Sequence, residues 1–414
     1  MRAVEKYLNK LSEPLIPHKP SPNLGFVVTI PAFNEAETIK SIDSLLKCNS
    51  PEADIEILIN VNFSELATEN EKKFNEHVFR ILQQYAKDKS TKKIKIHILY
   101  FPNQNKKVAG VGWARKQVMD EAFRRLLTVN NENGIITGFD ADSDCQDNYF
   151  TEIENFFKKK PKATACSIRF EHPISGTKYS EEIYQAIILY ELHLRYFINA
   201  QKKMNVSFAY QTVGSSFAVR AHNYAQVNGM SPKKAGEDFY FLQKVIALGH
   251  FYNLNSTCVY PSPRISNRVG FGTGPSVGEI SKTGTKLTYN YHSFIEIKKL
   301  YDALPQIYEQ TIRIEELKLT DLFLNYLHQQ KIEFVVQNLI KNNKSFERFK
   351  ASFMQWFGAF QVLKVLNILA TSETFKNKDL ISEVHKLELV EASNNPKVLL
   401  EALRVLDTKN YFSR

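Results

Sequence analysis

Apolar residues in the first 250 positions come in blocks. Short β-branched runs at 26–30, 55–61 and 94–100 are each followed by apolar residues at helical spacing. After the first run these are Ile39, Ile42, Leu45 and Leu46; after the second, Phe74, Val78, Ile81 and Leu82; after the third, the stretch 113–127. Continuous β-branched runs predict strands buried on both faces, and their alternation with helices predicts a parallel sheet covered by helices on both sides. A fourth strand is predicted from Ile135, then a helix over 149–159, a strand over 163–170 and a long amphipathic helix over 180–204. A strand over 213–219 and a helix over 239–248 follow, with Gly249 where a C-cap belongs. Residues 262–284 are rich in Gly, Ser, Pro and Arg and predict a loop. From about His292 the strand pattern stops, and Leu, Phe, Lys and Glu recur at helical spacing. The predicted organisation is an N-terminal arm (1–23, extended through Pro14 to Pro22), an α/β domain (24–291) and a helical C-terminal domain (292–414).

Composition narrows the partners. The chain has 414 residues, enough for two domains, with 43% hydrophobic and 24% charged residues, as in a folded soluble protein. A net charge of +10 suits an anionic partner, but no motif that reads bases accompanies it, so nucleic acid is not expected. Cys48, Cys145, Cys166 and Cys258 have neither CxxC nor zinc-type spacing, and predict reduced, partly buried thiols. The charged N-terminus lacks the apolar core of a signal peptide, and no window reaches the roughly 20 apolar residues of a membrane span. A cytoplasmic protein is expected, with peripheral membrane contact as the minority reading of an aromatic stripe from Phe346 to Phe360; packing between helices is its majority reading.

Candidate chemistry concentrates at four places. The strand at Ile135 ends in Asp140-Ala141-Asp142-Ser143-Asp144, putting carboxylates at the carboxyl edge of the sheet, where open α/β folds bind ligands. Such carboxylates repel one another unless a cation intervenes, and hard oxygen ligands suit Mg²⁺ or Mn²⁺ shared with substrate phosphates. Pro31-Ala32-Phe33-Asn34-Glu35 turns the first strand into a helix whose free N–H groups suit an anion or a polar ring. Gly110 and Gly112 open another helix, permitting close backbone approach to phosphate, with Arg115 to neutralise it. Glu237-Asp238 begins a helix; such a pair complements the helix dipole, and in a cleft one of them can take a proton from a hydroxyl.

The order of these segments resembles that of the inverting family-2 glycosyltransferases with the glycosyltransferase A-type fold, over roughly residues 25–275. Pro31 to Glu35 is similar to the family's nucleotide-binding turn, Gly110 to Arg115 to its Gly-x-x-x-Ala-Arg segment, and Phe139 to Asp142 to its Asp-x-Asp motif. Gly214 to Arg220 resembles its acceptor-side strand, and Val227 to Met230 with Glu237-Asp238 the segment ending in its catalytic pair. The resemblance implies an α/β nucleotide-diphospho-sugar transferase fold, a nucleotide-diphosphate sugar donor, Mg²⁺ or Mn²⁺, and a glycan or lipid-linked acceptor. It implies Asp140 near ribose and metal, Asp142 as metal ligand, Asp238 as general base, Glu237 orienting acceptor or base, and Gly214 and Ser215 on the acceptor side. Arg264 and Arg268, in the loop that follows, have the charge to close over the diphosphate. Where the family commonly has acidic residues after its second strand, this chain has Asn60 and Asn62, whose amides still offer a donor and an acceptor to a base edge. That departure leaves open a retaining transferase of the same fold, or a catalytically degenerate nucleotide-sugar-binding or scaffold protein.

Overall fold

The computed structural model describes residues 3–409, apart from 207, 235, 267, 269 and 271. Eight strands form one sheet in the order β3-β2-β1-β4-β7-β6-β8-β5. They are β1 (Leu24–Ala32), β2 (Asp54–Ser64), β3 (Ile94–Gln104), β4 (Ile135–Gly138), β5 (Asp144–Cys145), β6 (Ala165–Phe170), β7 (Phe217–Arg220) and β8 (Phe251–Tyr260). β3, β2, β1 and β4 run parallel, as do β6 and β8, while β7 is antiparallel to both β4 and β6. Helices α1 (Ala3–Leu8), α2 (Thr38–Lys47), α3 (Glu69–Lys89), α4 (Val111–Thr128), α5 (Tyr149–Lys159), α6 (Glu181–Lys203), α7 (Ala221–Gln226) and α8 (Glu237–Ile246) alternate with these strands. This is the mainly parallel α/β architecture that the resemblance implies, followed by the helical C-terminal region that the apolar spacing predicts.

The central strands form because their side chains have nowhere else to go. Val27, Val28 and Ile30 of β1 and Ile57, Leu58 and Ile59 of β2 are fully buried, each such side chain contributing about 1.5–3 kcal/mol over an exposed one. Helix α3 starts at a capping box, with Thr68 accepting from the Glu71 N–H and the Glu71 carboxylate accepting from the Thr68 N–H. The chain leaves β1 toward β2 on one side, while β4 pairs on the other, with Phe26 opposite Ile135 and Thr29 opposite Gly138. The carboxyl ends of β1 and β4 therefore open side by side where the strand order reverses, the usual ligand position in open α/β sheets.

The structure departs from the sequence reading in several places. β8 lies where no strand is predicted, because Asn253, Asn255, Ser256 and Thr257 dilute its apolar pattern. It forms as a parallel partner of β6, with a register shift between Ile168 and Arg169. Within the predicted 262–284 loop, Thr273–Thr283 is a helix, α9; Pro275 falls in its first turn, where a missing N–H costs little. Positions 267, 269 and 271 of that loop lie outside the described residues. The predicted strand over 213–219 shrinks to β7, because a turn with Ser216 N–H donating to Val213 O occupies its start. The arm begins with the helix α1, whose Tyr7 is buried and donates to Asp120, as does Tyr224.

Arg220, at the end of β7, is a structural residue. Its guanidinium donates to the carbonyls of Ala163 (2.9 Å), Phe157 (3.1 Å), Asn133 (3.2 Å) and Pro161 (3.3 Å) and lies over the Phe157 ring. Arg220→Ala strips these acceptors of their donor and should cost about 3 kcal/mol, read as a lower urea midpoint at unchanged slope.

The chain divides into two compact units. One holds the residues up to Tyr184, Thr212–Gly278 and the end from Leu406; the other holds Gln185–Gln211 and Glu279–Val405. The second takes most of α6 together with the helices that follow Tyr291. It also has a two-stranded antiparallel ladder, β9 (Leu287–Thr288) with β10 (Lys378–Asp379), the latter in the region whose sequence predicts helix alone. Phe349, Phe353 and Phe357 of the aromatic stripe are fully buried, and only Phe360 among its rings is largely exposed. The stripe is thus core packing. No helix among the described residues is long and apolar enough to cross a membrane, and all four cysteines are free and buried.

Candidate active site

Two clusters of charged side chains stand at the carboxyl ends of β1 and β4. The first centres on Arg115, in the first turns of α4. Gly112 allows that helix to start where it does, because a Cβ there would meet the Lys233 carbonyl at 2.0 Å and the Glu237 Cβ at 2.9 Å. The chain leading into α8 therefore packs directly on the start of α4. Arg115 is 3% exposed and donates to Asp140 Oδ1 (2.8 Å), Gly214 O (2.9 Å) and Glu237 Oε1 (3.3 Å). Burial opposes its charge, but Asp140, Glu237 and Asp238 outweigh burial and raise its pKa, so it is a permanent cation.

Glu237 and Asp238 open α8 behind Gly236, which takes the left-handed conformation (φ +67°) that lets the chain turn sharply into the helix. Glu237 is buried, and burial raises its pKa against the pull of Arg115. Asp238 is partly exposed. Its carboxyl is pushed up to about 7, first by burial and then by the Glu237 charge, with Arg115 opposing. A Cβ on Gly214 would lie 2.8 Å from Arg115 Nη2 and 3.1 Å from Asp238 Oδ2. Arg115, Asp140, Gly214, Glu237 and Asp238 thus form one contiguous group.

The second cluster joins the turn after β1 to the turn after β4. Arg264 Nε donates to Asp142 Oδ2 (2.6 Å), and its Nη2 donates to Glu35 Oε2. Arg268 reaches the same Glu35 oxygen (3.0 Å) and the Phe33 carbonyl. Glu35 is 5% exposed; burial and then the Asp142 charge push its pKa up to about 7, with Arg264 opposing. Asp142 is also raised, chiefly by burial, with Arg264 again opposing.

The structure thus brings together most of the sequence-predicted residues, with some different partners. Asp140 turns to Arg115 and Asp142 to Arg264, so the two carboxylates of the Asp-x-Asp segment belong to different clusters. Asp144 pairs with Lys40 at the surface, as suits a turn residue. Glu35, expected only as part of the nucleotide-binding turn, is the carboxylate that shares Arg264 with Asp142; nothing in sequence spacing links them. Pro31 and Phe33 are partly exposed, Asn34 is exposed, and Ala32 and Ala141 are buried beneath the turns. Gly110 is the N-cap of α4, its Cβ position 3.2 Å from Lys234 Cα.

Four more of the sequence-predicted residues have partners within the protein. Asn60 is fully buried and donates to Ala114 O (3.0 Å), bracing α4 against β2, while its amide oxygen has no hydrogen-bond partner in the protein. Asn62 is buried with its amide on Ala32 O and Asn60 O. Ser215 is fully buried, its hydroxyl 3.4 Å from that of Ser216, and the Gly214 carbonyl is occupied by Arg115. Elsewhere, Glu315, His328 and Glu333 form an exposed group of the second unit with ligand atoms within 4.8 Å of one another. His328 Nδ1 and Glu333 Oε1 are 2.8 Å apart there, an ordinary surface pair.

No protein-family model matches the chain, and no curated protein matches it. Among solved structures it is similar to residues 1–349 of S. aureus TarS in complex with UDP-GlcNAc, at 13% identity and a TM-score of 0.40 over 94% of this chain and 89% of that one. Against a larger S. aureus TarS chain the identity is 14% and the TM-score 0.39, over 94% of this chain and 54% of that one. It is also similar to the mannosyltransferase PcManGT from Pyrobaculum calidifontis in complex with GDP-Man and Mn²⁺, at 12% identity and a TM-score of 0.35, over 98% of this chain and 92% of that one. All three TM-scores lie below 0.5, so the reading of the site rests on its own geometry.

Proposed function

We propose that the protein is a glycosyltransferase that uses a nucleotide-diphosphate sugar and a divalent metal ion and inverts the anomeric centre. The observation that carries this reading is the pairing of two unlike clusters at the β1/β4 switch point. One offers carboxylates and arginines suited to a metal–diphosphate, the other a partly exposed carboxyl whose pKa is tuned to near neutrality. The donor set fits Mg²⁺ or Mn²⁺: Asp142 and Glu35 are hard oxygen ligands converging on a position held by a guanidinium, itself a cation. When bound, the metal would supply positive charge against the diphosphate leaving group.

This chain's own residues do the rest. Asp238 accepts the proton of the acceptor hydroxyl as that oxygen bonds to the sugar C1, and the bond from C1 to the diphosphate oxygen breaks with its electron pair going to the diphosphate. Arg115 holds Glu237 and Asp140 in place and keeps part of Asp238's population ionised at neutral pH. Arg264 and Arg268 supply donors for phosphate oxygens. The acceptor is a hydroxyl of a glycan or a lipid-linked glycan.

A screen of nucleotide sugars with Mn²⁺, following binding, hydrolysis and product anomer, tests the reading. One donor should bind and be consumed with inversion; a complete lack of binding across UDP-, GDP-, ADP- and dTDP-sugars sinks it. Gly214→Ala provides a sharper check. Its Cβ must displace Arg115 or Asp238, so transfer should fall roughly tenfold or more while donor affinity changes little.

A further inference from the structure

A single guanidinium satisfies two carboxylates that come from different strand ends. Arg264 spans Asp142 and Glu35, and Arg268 adds a second donor to the Glu35 oxygen. Glu35 is almost wholly buried, so its charge needs a resident partner, while Arg264 and Arg268 retain 26% and 27% exposure at their side chains. Polar contacts join the start of their segment: Ser262 Oγ lies 2.8 Å from the Tyr179 hydroxyl, and the Arg264 N–H donates to Ser262 Oγ at 3.3 Å. Gly278 of α9 lets Ile265 lie against that helix, a Cβ there meeting the Ile265 side chain at 3.1 Å. A dication on these carboxylates and a guanidinium on the same oxygens exclude one another by space and by like charge.

We propose that Arg264 is the built-in counter-cation of Glu35 and Asp142, and that it and a divalent ion hold these carboxylates by turns. The second half of the inference rests on the donor reading above. A nucleoside diphosphate draws Arg264 and Arg268 onto its phosphate oxygens and so frees the carboxylates for the ion. Metal and nucleotide then bind cooperatively, each raising the other's affinity by the same factor. Without nucleotide the protein is a poor metal binder because it carries its own cation.

The test is Mn²⁺ titration of the full chain, read from the free-ion spin resonance signal, for wild type, Arg264→Gln and Arg264→Lys, with melting temperatures to verify folding. Without nucleotide, Arg264→Gln should bind Mn²⁺ at least tenfold more tightly than wild type. Arg264→Lys should fall between, since an ammonium cannot fork across two carboxylates. Adding Asp142→Asn to Arg264→Gln should abolish the gain. With UDP or GDP present, the wild-type affinity should rise at least tenfold and that of Arg264→Gln by a smaller factor. Equal or weaker Mn²⁺ binding by folded Arg264→Gln overturns the inference; if that variant does not fold, equal binding by Arg264→Lys does so. Failure of UDP, GDP, ADP and dTDP alike to bind any form sinks the donor reading, whereas competition between Arg264 and Mn²⁺ is decided in the nucleotide-free arm.

Discussion

Asp238→Asn is expected to lower sugar transfer about a hundred- to ten-thousandfold while leaving donor binding nearly unchanged, because an amide cannot take the acceptor's proton. The wild-type pH profile should identify the same group. With the Asp238 carboxyl pushed up to about 7, first by burial and then by Glu237, its basic form is filled only as pH passes that value. The rate under subsaturating substrate should therefore rise tenfold per pH unit below about 7 and level off above it. Stability should run the opposite way. A carboxyl whose folded pKa exceeds its unfolded one binds more protons in the native state between the ordinary carboxylate range, about 4, and about 7, so stability falls as pH rises through that window. Glu35, also near 7, adds to the same slope. Asp238→Asn should flatten part of the stability slope and remove the rate dependence; full transfer by this variant would refute the assignment of the base while leaving the fold untouched.

The parts of the fold that were legible are those whose burial is uniform. β1 and β2 are enclosed on both faces, so their β-branched runs stand out whatever their neighbours. α5 spans Tyr149–Lys159 as its periodicity predicts, since one face, with Phe150, Ile153 and Phe157, carries the burial. β8 was not legible, because a strand that shares its polar residues with turns and partners has no apolar signature of its own. α9 was hidden behind glycines and a proline, a composition that reads as loop although Pro275 and Gly278 are accommodated by position. In the site, motif order brought the right segments to one sheet edge, but it could not say which charge meets which. Asp140 and Asp142 are two residues apart and would share a face in extended backbone, but the chain turns at Ala141 and Asp142, sending one carboxylate to Arg115 and the other to Arg264. Asn60 shows the same limit: its place at a strand end is legible, but the bond from its amide nitrogen to the backbone of α4 is not.

Arg115→Met should have the largest effect on both folding and activity. Its guanidinium pairs with the buried Glu237 carboxylate and also holds Asp140 and the Gly214 carbonyl. Removing one member of such a buried pair leaves an uncompensated charge and costs about 3–5 kcal/mol, enough to lower the unfolding midpoint well outside error. Arg115 also opposes the rise in the Asp238 pKa, so any residual transfer should shift to higher pH. Arg115→Lys keeps the charge but cannot reach three acceptors in fixed geometry, and should retain more stability than activity. The decisive comparison is Arg115→Met combined with Glu237→Gln. Neutralising the stranded carboxylate removes most of the electrostatic penalty, so the double variant should recover stability toward the wild-type value. It should not recover transfer, because Asp238 then lacks both the cation that favours its ionised form and the neighbour that fixes α8 on α4. Recovery of both properties together would reduce Arg115 to a folding residue and remove it from the chemistry.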